Sequence, residues 1–352
     1  MDSFKRKKKL HFRIIIFGFI SLVVLTILSV SLGTVKIPFF EVVNIILSKV
    51  PFLNHFTGTD AQNSINETIL LKIRIPRVLV SVLIGAGLSV SGTVYQGIFR
   101  NPMADPYVLG ISSGAAFGAT IAIITGMSTL WWGFGFVTVS AFVSALLVVF
   151  VVYKISSIGK KVPVTTLLLA GIAVNYFLLA AISFMMIFNR KQIEQIVFWT
   201  MGSVSTSEWQ HLAILLPVVL AEIVIMYAYS KNLNILSLGE ENALGLGVEI
   251  EKVKRILIVV SSVTVAVCVS VAGIIGFIGL IIPHSIKLMF GSDHKLIIPC
   301  SALGGAIFLT LCDLLARSLI SPAEIPVGIV TSLFGAPYFL FLLVRNKKGT
   351  AI

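Results

Sequence analysis

The chain has 352 residues, of which 57% are hydrophobic and only 12% charged, against about 25% charged in a soluble domain. A mean hydropathy of +1.01 excludes the ordinary water-soluble classes and points to an integral membrane protein. The formal net charge of +12 sits in short basic runs beside apolar stretches, which argues for anchoring at a membrane face and against nucleic-acid binding.

In chain order, the basic run KRKKK at 5–9 precedes an apolar stretch at 12–32. A secretory leader also starts basic, but this stretch has the roughly twenty residues of a full span, lacks an A-x-A-like site, and is followed by further spans. It is read as a retained first helix. A bilayer core of about 30 Å needs about twenty residues at 1.5 Å each. On that rule the spans fall at 12–32, 76–99, 107–126, 131–153, 164–188, 210–229, 255–272, 274–289, 296–318 and 326–344. The eighth is short and interrupted by Gly and Pro (GIIGFIGLIIP), with only Ala272-Gly273 between it and the seventh. The predicted fold is all-α: a polytopic membrane protein of about ten helices forming one permease-type domain over 1–352. It has a basic cytoplasmic tail (1–11), an outer loop (33–75) that includes TGTDAQNSINET, and an inner loop (230–254).

Ten spans place both termini on one side. With both inside, nineteen of the 27 Lys and Arg residues fall on cytoplasmic segments, as the positive-inside rule requires. Merging spans seven and eight would send the C-terminal RNKK outside. Span two (AGLSVSG, 86–92) and span seven (SVAG, 270–273) carry similar short stretches but start on opposite sides. This points to an inverted repeat of spans 2–5 and 7–10, as in many transporters, although a match this short also arises by chance.

Several kinds of chemistry are missing. There is no GxxxxGK[ST], HExxH or Cys/His cluster, so no ATP or metalloprotease site of those types is expected in this chain. Cys268, Cys300 and Cys312 lie in apolar runs without metal spacing and read as small core residues. The five histidines are scattered near span ends. Polar residues inside spans deserve more attention, because a charge at mid-bilayer costs roughly 2.5–3.5 kcal/mol on insertion scales. They are Asn175, Glu222, Asp313 and Arg317; the last two are four apart on one helix face and can pair.

More specific are RIPRVLVSVLIGAGLSVSG (74–92), QGIFRNPMADPYVLGISSGAAFGA (96–119), TTLLLAGIAV (165–174), LGEENALGLGV (238–248), GFIGLIIPH (276–284) and AEIPVGIVTSLFGAPYFLFLL (323–343). In order and spacing, from about residue 70 to 345, these resemble the permease subunits of type II ABC importers for iron(III)-siderophores, haem and cobalamin. The resemblance implies a ten-helix subunit paired with a second permease chain, identical or related. It implies two cytoplasmic ATPase subunits that use ATP and Mg, an extracytoplasmic substrate-binding protein, and no cofactor on this chain. The expected location is a bacterial inner membrane.

The resemblance also implies roles for residues. Arg74, Arg77 and Arg317 take the family's docking positions, where arginines meet glutamates of the binding protein. The planar guanidinium suits bidentate carboxylate pairing, although the same residues also serve as lipid-headgroup anchors. Gly239, Glu240, Glu241, Ala243, Gly245, Leu246 and Gly247 take the position of the ATPase-coupling helices. The glycines there permit tight turns and the carboxylates suit a helix start; an ordinary solvated helical loop has the same composition. Val164 and Thr165 take the cytoplasmic gate. Val164 departs from the small hydroxyl residue common in cobalamin members. Gly85, Gly87 and Gly92 favour close helix approach. Phe198 and Trp199 read as interfacial aromatics or as route-lining residues. The expected function is inward transport of an iron-siderophore, haem or cobalamin-type chelate without an enzymatic site of the chain's own. An ion-gradient-driven secondary transporter is the alternative.

Overall fold

The computed structural model describes residues 2–33, 37–49, 65–127, 135–159, 161–320 and 323–349, with the side chains of all but 2–10, 39, 46, 343 and 345–349. The polar stretch 57–64, the expected start of span four at 131–134, Lys36, Lys160, and the side chains of the KRKKK tail and of Arg345, Lys347 and Lys348 lie outside that set.

In chain order the helices are α1 (Asp2–Ser31), α2 (Phe39–Lys49) and α3 (Ile65–Thr68). A π-helical turn (Ile69–Arg74) carries α3 straight into α4 (Ile75–Ile98). Then come α5 (Ile111–Thr125), α6 (Phe136–Ser156), α7 (Val164–Phe188), α8 (Ile193–Thr200), α9 (Trp209–Ala228), α10 (Ser230–Leu236) and α11 (Glu240–Gly245). Last are α12 (Ile250–Ala272), α13 (Ile278–Phe290), α14 (His294–Ser318) and α15 (Val327–Gly349). Seven helical runs (His11–Ser31 within α1, Ile65–Ile98, α6, α7, α9, α12 and α14) are long and apolar enough to cross a membrane, while α5, α13 and Val327–Leu342 are shorter apolar helices. Together they coincide with the ten stretches expected from the sequence, and the chain is a polytopic all-α membrane protein.

The doubtful boundary is resolved by a break. α12 stops at Ala272, Gly273 takes φ +71°, and α13 begins only at Ile278. At 1.5 Å per residue, α5 and α13 are only about 20 Å long, too short for a full crossing. Each is preceded by a non-helical segment that reaches the interior. Before α5 this contains the 3-10 turn Pro106–Leu109, and before α13 it is Gly273–Phe277. The two segments meet. A methyl group on Gly279 would lie 2.6 Å from the Pro106 ring and 2.8 Å from the carbonyl of Leu88, midway along α4. Irregular backbone at this depth must find internal partners. It does: the Tyr107 hydroxyl donates to the Ile275 carbonyl (2.9 Å), Gln96 Nε2 to that of Leu280 (2.9 Å), and the Ser203 N–H to that of Ala272 (2.7 Å).

Exchange of α4–α7 with α12–α15 preserves the pattern of packing. α4 packs on α14 as α12 does on α6, and α4 on α13 as α12 does on α5. The pairs α5·α6, α5·α7 and α6·α7 have counterparts in α13·α14, α13·α15 and α14·α15. This is the arrangement an inverted repeat leaves. α4 is the central helix, with 89% of its apolar window buried, whereas α1, α6, α7 and α9 have 17–22% buried and form the periphery. The α4–α14 contact depends on Gly85 and Gly305, whose backbones touch directly; a Cβ on either would overlap the other's carbonyl. The three cysteines are free and buried.

Candidate functional site

The bundle has two chemically distinct ends, joined by α4, about 36 Å long at 1.5 Å per residue. At the end where α4 begins lie Arg74, Arg77 and Arg317. The sequence predicts these guanidiniums on the outer lip of the membrane, presented to solvent. The structure keeps them at one end but buries all three, at 4%, 5% and 3% exposure. The physical reason is local. The helix starts at Ile65, not at Pro76, so Arg74 and Arg77 lie inside a continuous helical run, and the end of α1 folds over them.

Each arginine has internal partners. Arg74 Nη1 donates to the carbonyls of Val30 and Ser31, both at 3.0 Å, so it caps the C-terminus of α1, whose last carbonyls have no helical partner. Arg317 donates to the carbonyl and the hydroxyl of Ser29 in the same turn. Arg77 links two later elements. Its Nε and Nη2 each lie 2.9 Å from Asp313 Oδ1, and its Nη1 reaches Glu324 Oε1 (3.0 Å) and Oε2 (2.8 Å). Asp313 is fully buried and also faces Arg317, at 3.6 Å. The expected Asp313–Arg317 pair therefore exists, but Asp313 is shared. Three guanidiniums face two carboxylates, which leaves the cluster one positive charge in excess.

Glu324 was not among the residues singled out in the sequence. It is also the exposed member of the cluster, with its side chain 36% accessible against 0% for Asp313. It borders a cavity of about 580 Å³ at this same end, whose wall includes Gln195, Phe198, Trp199, His211 and Ser270. Phe198 and Trp199, expected at an interface or along a route, are therefore brought to this cavity.

The opposite end carries the loop at 230–254, folded into two short helices and the start of α12. α11 begins at Glu240 with Glu240 and Glu241 in its first turn, as the sequence suggests. It ends where Gly247 takes φ +77° and the Val248 N–H returns to the Ala243 carbonyl (3.1 Å), a helix-terminating turn that favours glycine. Ala243 is fully buried and fixes the turn against the bundle, while Leu244 and Leu246 project outward at 64% and 62% exposure. The Glu240 carboxylate accepts from Lys254 Nζ at 2.5 Å. Asn234 of α10 ties the elbow to α14: its Nδ2 donates to Asp293 (2.8 Å) and its Oδ1 accepts from the His294 N–H (2.9 Å). Outside the spans, burial alone would raise the Asp293 carboxyl, but hydrogen bonds from Asn234 and the Lys295 N–H hold it below its ordinary value. A second cavity, of about 570 Å³, lies beside the elbow and includes Lys161, Glu240, Leu244, Glu251 and Arg255 in its wall.

Val164 and Thr165 form the first turn of α7 at this same end, Val164 half-buried and Thr165 exposed. The loop before them is held by Glu251, whose carboxylate accepts from the Val162 N–H (3.1 Å). The structure thus brings Val164 and Thr165 near the elbow, and separates both from the arginines by the length of α4. Of the intramembrane polar residues, Glu222 is fully buried between α9, α4 and α12 and accepts from Ser91 Oγ at 2.5 Å. Among the described residues no group of three His, Cys, Asp or Glu side chains is placed to hold a metal ion.

Comparison with known proteins agrees with this architecture. Residues 21–345 match the model of the FecCD transport family. The cobalamin import system permease of Halobacterium salinarum is 44% identical over 286 residues, covering 81% of this chain and 76% of that one. The hemin transport system permease of Yersinia pestis is 41% identical over 283 residues, covering 80% and 84%. A solved structure reported as an inward-facing conformation of a metal-chelate type ABC transporter superposes with a TM-score of 0.80 at 33% identity, covering 95% of this chain and 99% of that one. A family match of this extent, on a ten-helix bundle with two differentiated ends, establishes that the chain belongs to the FecCD transport family.

Proposed function

We propose that the chain is the membrane-spanning permease of a binding-protein-dependent ABC importer that moves an iron-siderophore, haem or cobalamin-type chelate into the cytoplasm. The observation that carries the reading is the separation of two unlike ends on one bundle: a carboxylate-seeking arginine cluster at one, a glycine-terminated helical elbow at the other. The names of the similar permeases support the substrate class.

On this reading both termini are cytoplasmic in a bacterial inner membrane, and the arginine end faces outward. Arg74, Arg77 and Arg317 form the cluster at which carboxylates of an extracytoplasmic binding protein dock. Such charge pairs steer and orient association more than they add affinity. The elbow at Gly239, Glu240, Glu241, Ala243, Gly245, Leu246 and Gly247 seats in an ATPase subunit, with the exposed Leu244 and Leu246 as its apolar tip. Two ATPases hydrolyse ATP with the help of Mg; this chain binds no cofactor and catalyses nothing itself. A second permease chain completes the path, with Val164 and Thr165 at its cytoplasmic constriction. Closure of the ATPase dimer biases the elbow, and the Asn234–Asp293–His294 bonds carry that bias into α14, whose far end holds Asp313 and Arg317. A conformational change requires a ligand that discriminates between the two states, and here the ATPase dimer is that ligand.

The test is chelate uptake in cells whose partner ATPase carries a substituted P-loop lysine. Loss of uptake is expected. Persistent uptake driven by an ion gradient would overturn the proposal.

A further inference from the structure

We propose that Glu324 is an internal stand-in for a docking carboxylate: it holds the Arg77 fork while no binding protein is present and is exchanged for a carboxylate of that protein on docking. The inference rests on the docking reading above and goes beyond it by naming the group that must be displaced.

Arg77 divides its donors between two acids. Nε and Nη2 are committed to Asp313, which is fully buried. Nη1 is held by both oxygens of Glu324, whose side chain is 36% accessible. Of the two, only Glu324 can leave without dragging a carboxylate through apolar packing. Its backbone is pinned, since the next residue, Ile325, donates its N–H to the Ala316 carbonyl (3.1 Å). The movement required is therefore a side-chain swing. The destination exists, because Glu324 already lines the cavity of about 580 Å³ beside Gln195 and His211, where a carboxylate can be hydrated.

Charge decides between release and exchange. With Glu324 in place the cluster is one positive charge in excess. Departure of Glu324 alone would leave two, in a place where the arginines are 3–5% exposed. An uncompensated buried charge is strongly unfavourable, so Glu324 leaves only when another carboxylate arrives. In the idle protein the internal pair also keeps a lipid phosphate from taking the guanidinium, which would otherwise be a good phosphate ligand.

The test measures the dissociation constant of the binding protein that supports uptake for the complete permease–ATPase complex in lipid nanodiscs. Removing the competitor with Glu324→Gln is expected to tighten binding about fivefold, the equivalent of about 1 kcal/mol for a partly exposed pair. In an Arg77→Gln background, which has no fork to compete for, Glu324→Gln is expected to change binding less than about twofold. Should Arg77→Gln fail to assemble, Arg77→Lys replaces it, since its single ammonium is taken by Asp313 and the Glu324→Gln effect again vanishes. Unchanged or weaker binding for Glu324→Gln overturns the exchange. Equal tightening with and without Arg77 also overturns it, because that is bulk electrostatics. Arg77→Gln alone tests the docking reading: if it assembles and binds as wild type, docking at Arg77 is wrong, whereas weakened binding with no effect of Glu324→Gln removes only the exchange.

Discussion

Asp313→Asn is the substitution that most sharply probes the energetics of the arginine end. Asp313 is fully buried, and one of its oxygens lies 2.9 Å from two nitrogens of Arg77 while the other is 3.6 Å from Arg317. Asparagine keeps the shape but removes the charge, so Arg317 is left buried with no carboxylate from Asp313, beside the carbonyl and hydroxyl of Ser29. Breaking a buried ion pair from one side typically costs about 3–5 kcal/mol, chiefly through the charge left behind. A loss of that size lowers Tm by on the order of ten degrees. Thermal unfolding of purified protein in detergent, followed by dye-labelling of the buried cysteines, reads it directly. The cause is separable from simple loss of a contact. Adding Arg317→Met removes one of the stranded cations, so the double variant is expected to be more stable than the sum of the single effects by about 1–3 kcal/mol. An Asp313→Asn protein within about 1 kcal/mol of wild type, or strictly additive effects, would refute the assignment of Asp313 as the counter-charge of the cluster.

Three further outcomes follow from other parts of the molecule. Gly305→Leu places side-chain atoms on the backbone of Gly85 and is expected to abolish membrane accumulation, whereas Gly245→Ala, which faces open space, is expected to accumulate normally; immunoblots of membrane fractions check both. Ile65→Cys and Leu246→Cys, at positions 80% and 62% exposed, are expected to react with a membrane-impermeant maleimide from opposite sides in intact cells and inverted vesicles; labelling from one common side contradicts the topology. The Asp293 carboxyl, held low by its hydrogen bonds to Asn234 and Lys295, has a folded pKa below its unfolded one. Its contribution to stability is therefore complete above the ordinary value of 3.8 and is lost as pH falls through the folded value. A titration of Tm from pH 7 downward is expected to show wild type converging on Asp293→Asn at the acid end, and a constant gap between the two would contradict this.

The spans are legible in the sequence because length and apolarity alone determine them. So are the two ends of the elbow, since Glu240 and Gly247 are ordinary start and stop signals for a short helix. The spans are least legible where hydropathy has no bearing. α5 and α13 match apolar runs, but that they begin at mid-depth follows from the meeting of Pro106 with Gly279, a contact between residues far apart in sequence. The partners of the arginines are hidden for the same reason. Arg74 is satisfied by backbone carbonyls of α1, which any sequence would supply. Glu324 lies 247 positions from Arg77, on a short loop whose acid reads as ordinary surface. One signal was available: a lone carboxylate beside a proline at the lip of an apolar run (AEIP, 323–326), on the side already rich in arginine. Glu222 was legible as an anomaly, but its Ser91 partner was not.

Energised transport by the reconstituted protein is the most direct measurement. Proteoliposomes holding this chain, its ATPase subunits and the binding protein, with ATP on the elbow side and radiolabelled iron-siderophore, haem or cobalamin on the arginine side, should accumulate one of these chelates only when ATP is hydrolysed and the binding protein is present. Accumulation of a chelate with the ATPases omitted and an ion gradient imposed would contradict it.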